Sequence, residues 1–156
     1  MLIHAIVEYL LLIVKSVRNS SRRNPMEFYR FDKEVGKRIS KYNSDFIMSR
    51  IIQTEKAAHI GCMHLEANGV IGYHQAVLPQ IILIVAGEGH VRGEKNEYFQ
   101  VEAGDAVFWK KDEWHETKTK NGLTAIVVES EELNPSSCMT SKEASPVSLD
   151  PYFNSP

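Results

Sequence analysis

The stretch Ile81-Ile82-Leu83-Ile84-Val85-Ala86-Gly87-Glu88-Gly89-His90-Val91-Arg92 decides the fold. Its first five residues are β-branched or leucine and carry no polar group on either face. A run that short, ending in glycines, reads as a strand rather than a helix. Gly87-Glu88-Gly89 then breaks the run before a second short strand, His90-Val91-Arg92. A strand apolar on both faces is buried on both. Since a small barrel leaves its outer face wet, something must cover this one: the N-terminal segment, a second sheet layer or another subunit. A homodimer is the expectation.

Outward from that stretch the chain reads as strands separated by turns. Residues 46–52, 58–66, 71–75, 80–86, 98–101, 105–109, 114–119 and 123–129 are the candidates, and no long helical period interrupts them. Asn121-Gly122 is a strong two-residue hairpin signal, and Asn68-Gly69 and Ala103-Gly104 mark further turns. Short strands at this spacing predict an all-β sandwich or antiparallel barrel.

The ends differ from this middle. Residues 1–25 hold an apolar run, Leu2 to Val14, followed by Lys15, Arg18, Arg22 and Arg23. The run is too short to span a bilayer, and a secretory signal would carry its charge in front, so no membrane partner is expected. Arg22-Arg23 can be encoded as AGG-AGG, a ribosome-binding sequence just upstream of Met26, so the segment reads as an extension with translation starting at Met26. Residues 26–133 are then the domain, with its barrel over about 40–130. Residues 134–156, rich in Ser and Pro, read as a flexible tail.

A chain of 156 residues, 43% hydrophobic and 24% charged, is one soluble globular domain. Lys and Arg number 18 against 20 Asp and Glu, so there is no basic excess for a phosphate backbone and nucleic acid is not an expected partner. Two cysteines, Cys62 and Cys138, make no disulfide framework, and reduced thiols fit a cytoplasmic protein.

The candidate chemistry lies in two stretches. One is Gly69-Val-Ile-Gly-Tyr-His74-Gln-Ala76-Val-Leu-Pro-Gln80, with Gly87 beyond it. The other is Gly104-Asp105-Ala-Val-Phe-Trp-Lys-Lys-Asp112-Glu-Trp-His115. In order and spacing they resemble the paired motifs of the cupin superfamily, and in detail the small single-domain bacterial cupins. The resemblance covers about residues 60–130. It implies a cupin-type antiparallel barrel, a double-stranded β-helix or jelly roll, in which His-x-His, a Glu and a later His converge on one divalent ion. Residues two apart on a strand share a face, which is what such a ligand set needs.

Carried over residue by residue, His74 takes the first His position, Ala76 the second, Gln80 the Glu position and His115 the last. Alanine supplies no ligand, and a carboxamide lacks the carboxylate's charge. The second motif has Lys110 and Asp112 where the family has Pro and Gly. The expected pocket is therefore His74, Gln80 and His115 with Ala76 and Thr117. A metal (Fe, Mn, Ni, Zn or Cu) is expected to be weak or absent, held by His74, His115 and Gln80. His64 is the candidate for a further ligand; its simpler reading is a half-buried strand histidine bonded to a neighbour. His59, beside a turn, is a remoter candidate.

Glu113 and Glu116 flank His115, and alternation puts Glu116 on the opposite face as a solvated charge. Trp109, Trp114 and Tyr73 read as core or dimer contacts first and pocket wall second. The expected function is binding of a small organic ligand. The alternative is a metal-dependent dioxygenase or isomerase with His74 and His115 as ligands.

Overall fold

The computed structural model describes residues 26–149. The extension over 1–25, a start at Met26 and the last seven residues lie outside the described residues. In chain order the strands are β1 (Glu27–Arg30), β2 (Lys37–Ile39), β3 (Phe46–Met48), β4 (Ala58–Leu65), β5 (Val70–Gln75), β6 (Gln80–Arg92), β7 (Tyr98–Glu102), β8 (Asp105–Trp109), β9 (Trp114–Lys118), β10 (Leu123–Ser130) and β11 (Thr140–Ser141). The all-β class and the antiparallel barrel are as the sequence predicts.

β6 organises the barrel. The expected break at Gly87 is a bend inside one 13-residue strand, with Gly87 at φ +78°. Before the bend β6 pairs with β8 and β10; after it, with β7 and β9. One strand thus belongs to two sheets, ordered β11-β1-β8-β6-β10-β4 and β7-β6-β9-β5, with every pairing antiparallel. Glycine is required at the bend. A Cβ there would collide with the Gly122 carbonyl oxygen and sit 2.9 Å from the Leu123 Cα.

Alternation along β6 sends Ile82 and Ile84 inward, against Phe28, Phe99, Val107, Trp109, Ala125 and Val127. Ile81 and Leu83 point outward, and with Ala106, Phe108 and Val128 they form a second apolar layer covered by Ile51, Leu133 and Met139. The chain itself supplies the cover. This buries Ile81 to Ile84 on both faces within the chain, while Val85, the last residue of the run, stays 43% exposed.

Three boundaries change. The barrel begins at β1, not near residue 40: four residues, too short to stand out in the sequence, lie between β8 and β11. Of residues 46–52 only β3 is strand, and it forms a separate hairpin with β2. Residues 134–149 are not a loose tail. Pro135–Ser137 makes a 3₁₀ turn, Met139 is 6% exposed, β11 pairs with β1, and Val147 bridges to Tyr98. Lys142 Nζ lies 2.7 Å from the buried carboxylate of Asp105. Few apolar residues hold this segment, but they fall where the outer layer needs them. Among the described residues no helix is long and apolar enough to cross a membrane.

Candidate functional site

The two motif stretches meet. β5 and β9 are antiparallel neighbours, and His74 is the register partner of His115. The register slips between Ile71 and His74, so β5 carries an extra residue relative to β9. Such a bulge re-aims the side chains that follow it. The two imidazole centroids are 4.3 Å apart with the rings tilted by 58°. Trp109 stacks on His115, with centroids 4.4 Å apart and planes at 21°.

Each ring is tied at Nδ1. That of His74 lies 2.7 Å from the Gly72 carbonyl oxygen, and that of His115 3.3 Å from the Glu113 carbonyl oxygen. A carbonyl only accepts, so each Nδ1 carries the hydrogen and each Nε2 of a neutral ring presents a lone pair. His115 is 1% exposed, and its Nε2 has no hydrogen-bond partner; neither has the buried Nε1 of Trp109. Burial pushes the His115 imidazole down to about 4, with the neighbouring His74 adding to the effect and the Glu113 carbonyl and Glu129 opposing it. At neutral pH it is an uncharged acceptor.

Gln80 opens β6 on the inward side, 8% exposed, register partner of both Trp109 and Glu129. Its Nε2 donates to Glu129 Oε1 at 2.7 Å. Glu129 and its register partner His59 border a cavity of about 230 Å³, together with Lys56, Ala57, Leu78 and Glu131. Glu129 is thus the link between the two: it accepts from Gln80 on one side and borders this cavity on the other, while neither imidazole nor Gln80 lines the cavity. Glu129 was missed in the sequence, although the signal exists: it shares the alternation of Leu123, Ala125 and Val127, which face inward. His59 deserves more weight than its turn-side position suggests.

The other candidates are distributed differently. Ala76 is buried, and its backbone closes the end of β5: its N–H donates to the Glu113 carbonyl and its carbonyl accepts from Asp112. Thr117 is buried on the His115 face, opposite Ile71 and Val91. His64 does not join the site. It lies on the outer face of β4, opposite Thr124, while its neighbours Met63 and Leu65 pack inward.

Glu116 is on the far face as alternation requires, but it is no solvated charge. It is 7% exposed and held by Tyr98 Oη at 2.6 Å, by Arg92 Nε and Nη2 at 3.3 Å each and by Lys118 Nζ at 3.2 Å. Burial works to raise its pKa, but these donors outweigh it and keep the carboxyl below its ordinary value. Tyr73 and Trp114 stack on each other, with Arg92 over the Tyr73 ring, so they form an outer surface rather than a pocket wall. The Glu113 carboxylate accepts from the Lys110 N–H and closes the loop; only its backbone carbonyl touches His115.

The donor set does not fit a tightly held metal. Two imidazoles meet there, the amide is engaged with Glu129, and among the described residues no three His, Cys, Asp or Glu side chains converge on a point.

A two-sheet antiparallel barrel, with one motif stretch on β5–β6 and the other on β8–β9 meeting at its mouth, is the cupin-type arrangement. No family model and no curated protein matches the chain. Among solved structures, a cupin superfamily protein of Desulfitobacterium hafniense is similar at 11% identity over 51% of this chain and 72% of its own, with TM-score 0.46. An RmlC-like cupin of Shewanella frigidimarina is 20% identical over 48% and 67%, with TM-score 0.45. A putative ethanolamine utilization protein Q of Salmonella typhimurium is 26% identical over 47% and 58%, with TM-score 0.43. At these scores the assignment of the fold rests on the strand order and register above.

Proposed function

We propose that the barrel mouth binds a small polar organic molecule that donates hydrogen bonds, an amine or a hydroxylated compound, without a tightly held metal. The observation that carries this reading is the unpartnered Nε2 of His115, a buried acceptor beside the second imidazole of His74. A buried polar atom left unsatisfied costs about 1–3 kcal/mol, and a ligand donor removes that cost. Gln80 and Glu129 continue the run of polar groups from His115, and Glu129 also borders the cavity of about 230 Å³. Trp109 offers one donor in the same layer.

The test is a panel of small amines and polyols, each paired with its deoxy or desamino counterpart, titrated while the ring ¹⁵N resonances of His115 are followed. At least one donor compound is expected to move the His115 Nε2 resonance, its counterpart is expected not to, and the Kd is expected to rise at least about tenfold in His115→Phe and in Glu129→Gln. Binding that is equal in these variants, or a panel that leaves the resonance unmoved, refutes the reading. Equilibrium dialysis against Fe, Mn, Ni, Zn and Cu addresses the metal-dependent enzyme. Near-stoichiometric metal lost in His74→Ala and His115→Ala would replace this proposal with that one.

A further inference from the structure

His64 and Cys62, both outside the barrel, form a second chemical group. They are two residues apart on β4 and therefore on one face, and β4 is an edge strand whose partner is β10. Cys62 is exposed, its Sγ is 3.5 Å from His64 Nε2, and the other ring nitrogen of His64 is 3.5 Å from Thr124 Oγ1 across the ladder. With Thr124 accepting from Nδ1–H, the Nε2 lone pair faces the thiol. A nucleophile, a base within reach of its proton and a third group orienting that base are the parts of an activated thiol. Nothing in the barrel uses them: the inward residues of β4 are Met63 and Leu65.

We propose that Cys62 is a reactive thiol, activated by His64, that undergoes exchange with low-molecular-weight disulfides and carries a reversible mixed disulfide. The proton of Cys62 passes to His64 Nε2 as the sulfur attacks one sulfur of the disulfide. The Cys62–S bond forms, the S–S bond of the reagent breaks, and the departing thiolate takes the proton from the imidazolium. One disulfide is consumed and one mixed disulfide and one thiol are produced, so no further oxidant enters. Exposure on the sheet edge admits the reagent, and a second thiol reverses the step. His64 touches the reacting atoms and is catalytic; Thr124 acts through it and is a positioning residue.

The chain carries its own reference in Cys138, which has a hydroxyl neighbour, Ser137 Oγ at 3.6 Å. The full-length protein is treated with oxidised glutathione, and the mass gain at each cysteine is followed by peptide mapping over time. Cys62 is expected to react at least about tenfold faster than Cys138. His64→Ala should lose that advantage and regain part of it when free imidazole is added. Thr124→Val should slow Cys62 about threefold or more, and Thr124→Ser should restore the wild-type rate. An unchanged Cys62 rate in His64→Ala, or no response of that variant to imidazole, overturns the proposal, as does a Cys138 that keeps pace with Cys62.

Discussion

Burial of His115 should make the stability of this fold depend on pH, and the size of the effect follows from the site. The ring is 1% exposed, packed against both Trp109 and His74, and its pKa falls from the ordinary 6.5 to about 4. The unfolded chain therefore binds a proton that the folded chain refuses between those values. The contribution is whole above pH 6.5 and is lost as pH falls from 6.5 toward 4. Linkage puts the loss at about 2 kcal/mol by pH 5 and about 3 kcal/mol by pH 4. The perturbation is His115→Gln, which keeps a polar group of similar length and removes the titration. Urea denaturation of both proteins at steps from pH 7.5 to 4.5 gives the difference in unfolding free energy at each pH, in which the other titrating groups largely cancel. That difference should shift against the wild type by about 2 kcal/mol between pH 7.5 and pH 5. A difference that stays flat would mean that the ring protonates freely in the folded state, and the neutral acceptor on which the proposed ligand site depends would not exist.

Two further outcomes test how the barrel is built. Gly87→Ala should cost more than about 2 kcal/mol in chemical denaturation, because a Cβ at the bend of β6 meets the backbone of Gly122 and Leu123 at a positive φ. Met139→Ala should cost about 2–4 kcal/mol, since this side chain covers Ile81 and Leu83 on the outer layer; a change under about 0.5 kcal/mol would mean that the C-terminal segment is not docked.

Most of the barrel was legible because period and punctuation agree. Ile81 to Ile84 are buried on both faces as their run announces, although Val85 is exposed, and the two motif stretches bring His74 and His115 into register. Asn121-Gly122 does turn the chain into β10, but β9 pairs with β5 and β6 rather than with β10, so the expected hairpin is a crossing between the two sheets. What escaped has physical reasons. β1 is four residues long and gains its stability from β8 and β11, which no local pattern reveals. Residues 134–149 carry a disordered composition, yet one methionine, one lysine and a two-residue strand suffice to dock them. The exchange-poised pair on β4 was half visible: His64 stood out as a histidine near the motifs, but its face follows from Met63 and Leu65 packing inward. Glu116 read as a surface charge because sequence alternation fixes a face and says nothing about the three donors that converge on it.

The amide at position 80, where the resembled motif has a carboxylate, is matched to Glu129. Gln80 faces Glu129 in the β6–β10 ladder, and its amide gives a hydrogen to that carboxylate at 2.7 Å. A carboxylate at position 80 would meet a second carboxylate there, and two that close do not both ionise without a cation or a shared proton between them. The amide satisfies Glu129 with no ion at all. The mouth thus keeps two imidazoles and one carboxylate, but the carboxylate stands on β10 beside the cavity instead of next to His74, and Ala76 leaves the second imidazole position empty of donors. A point ion needs its ligands gathered within about 2–2.5 Å of one centre. Under the proposed function, the acceptors spread from His115 through Gln80 to Glu129 would take an extended molecule with donors at both ends, and a donor placed on His115 would further favour the neutral imidazole that burial already imposes.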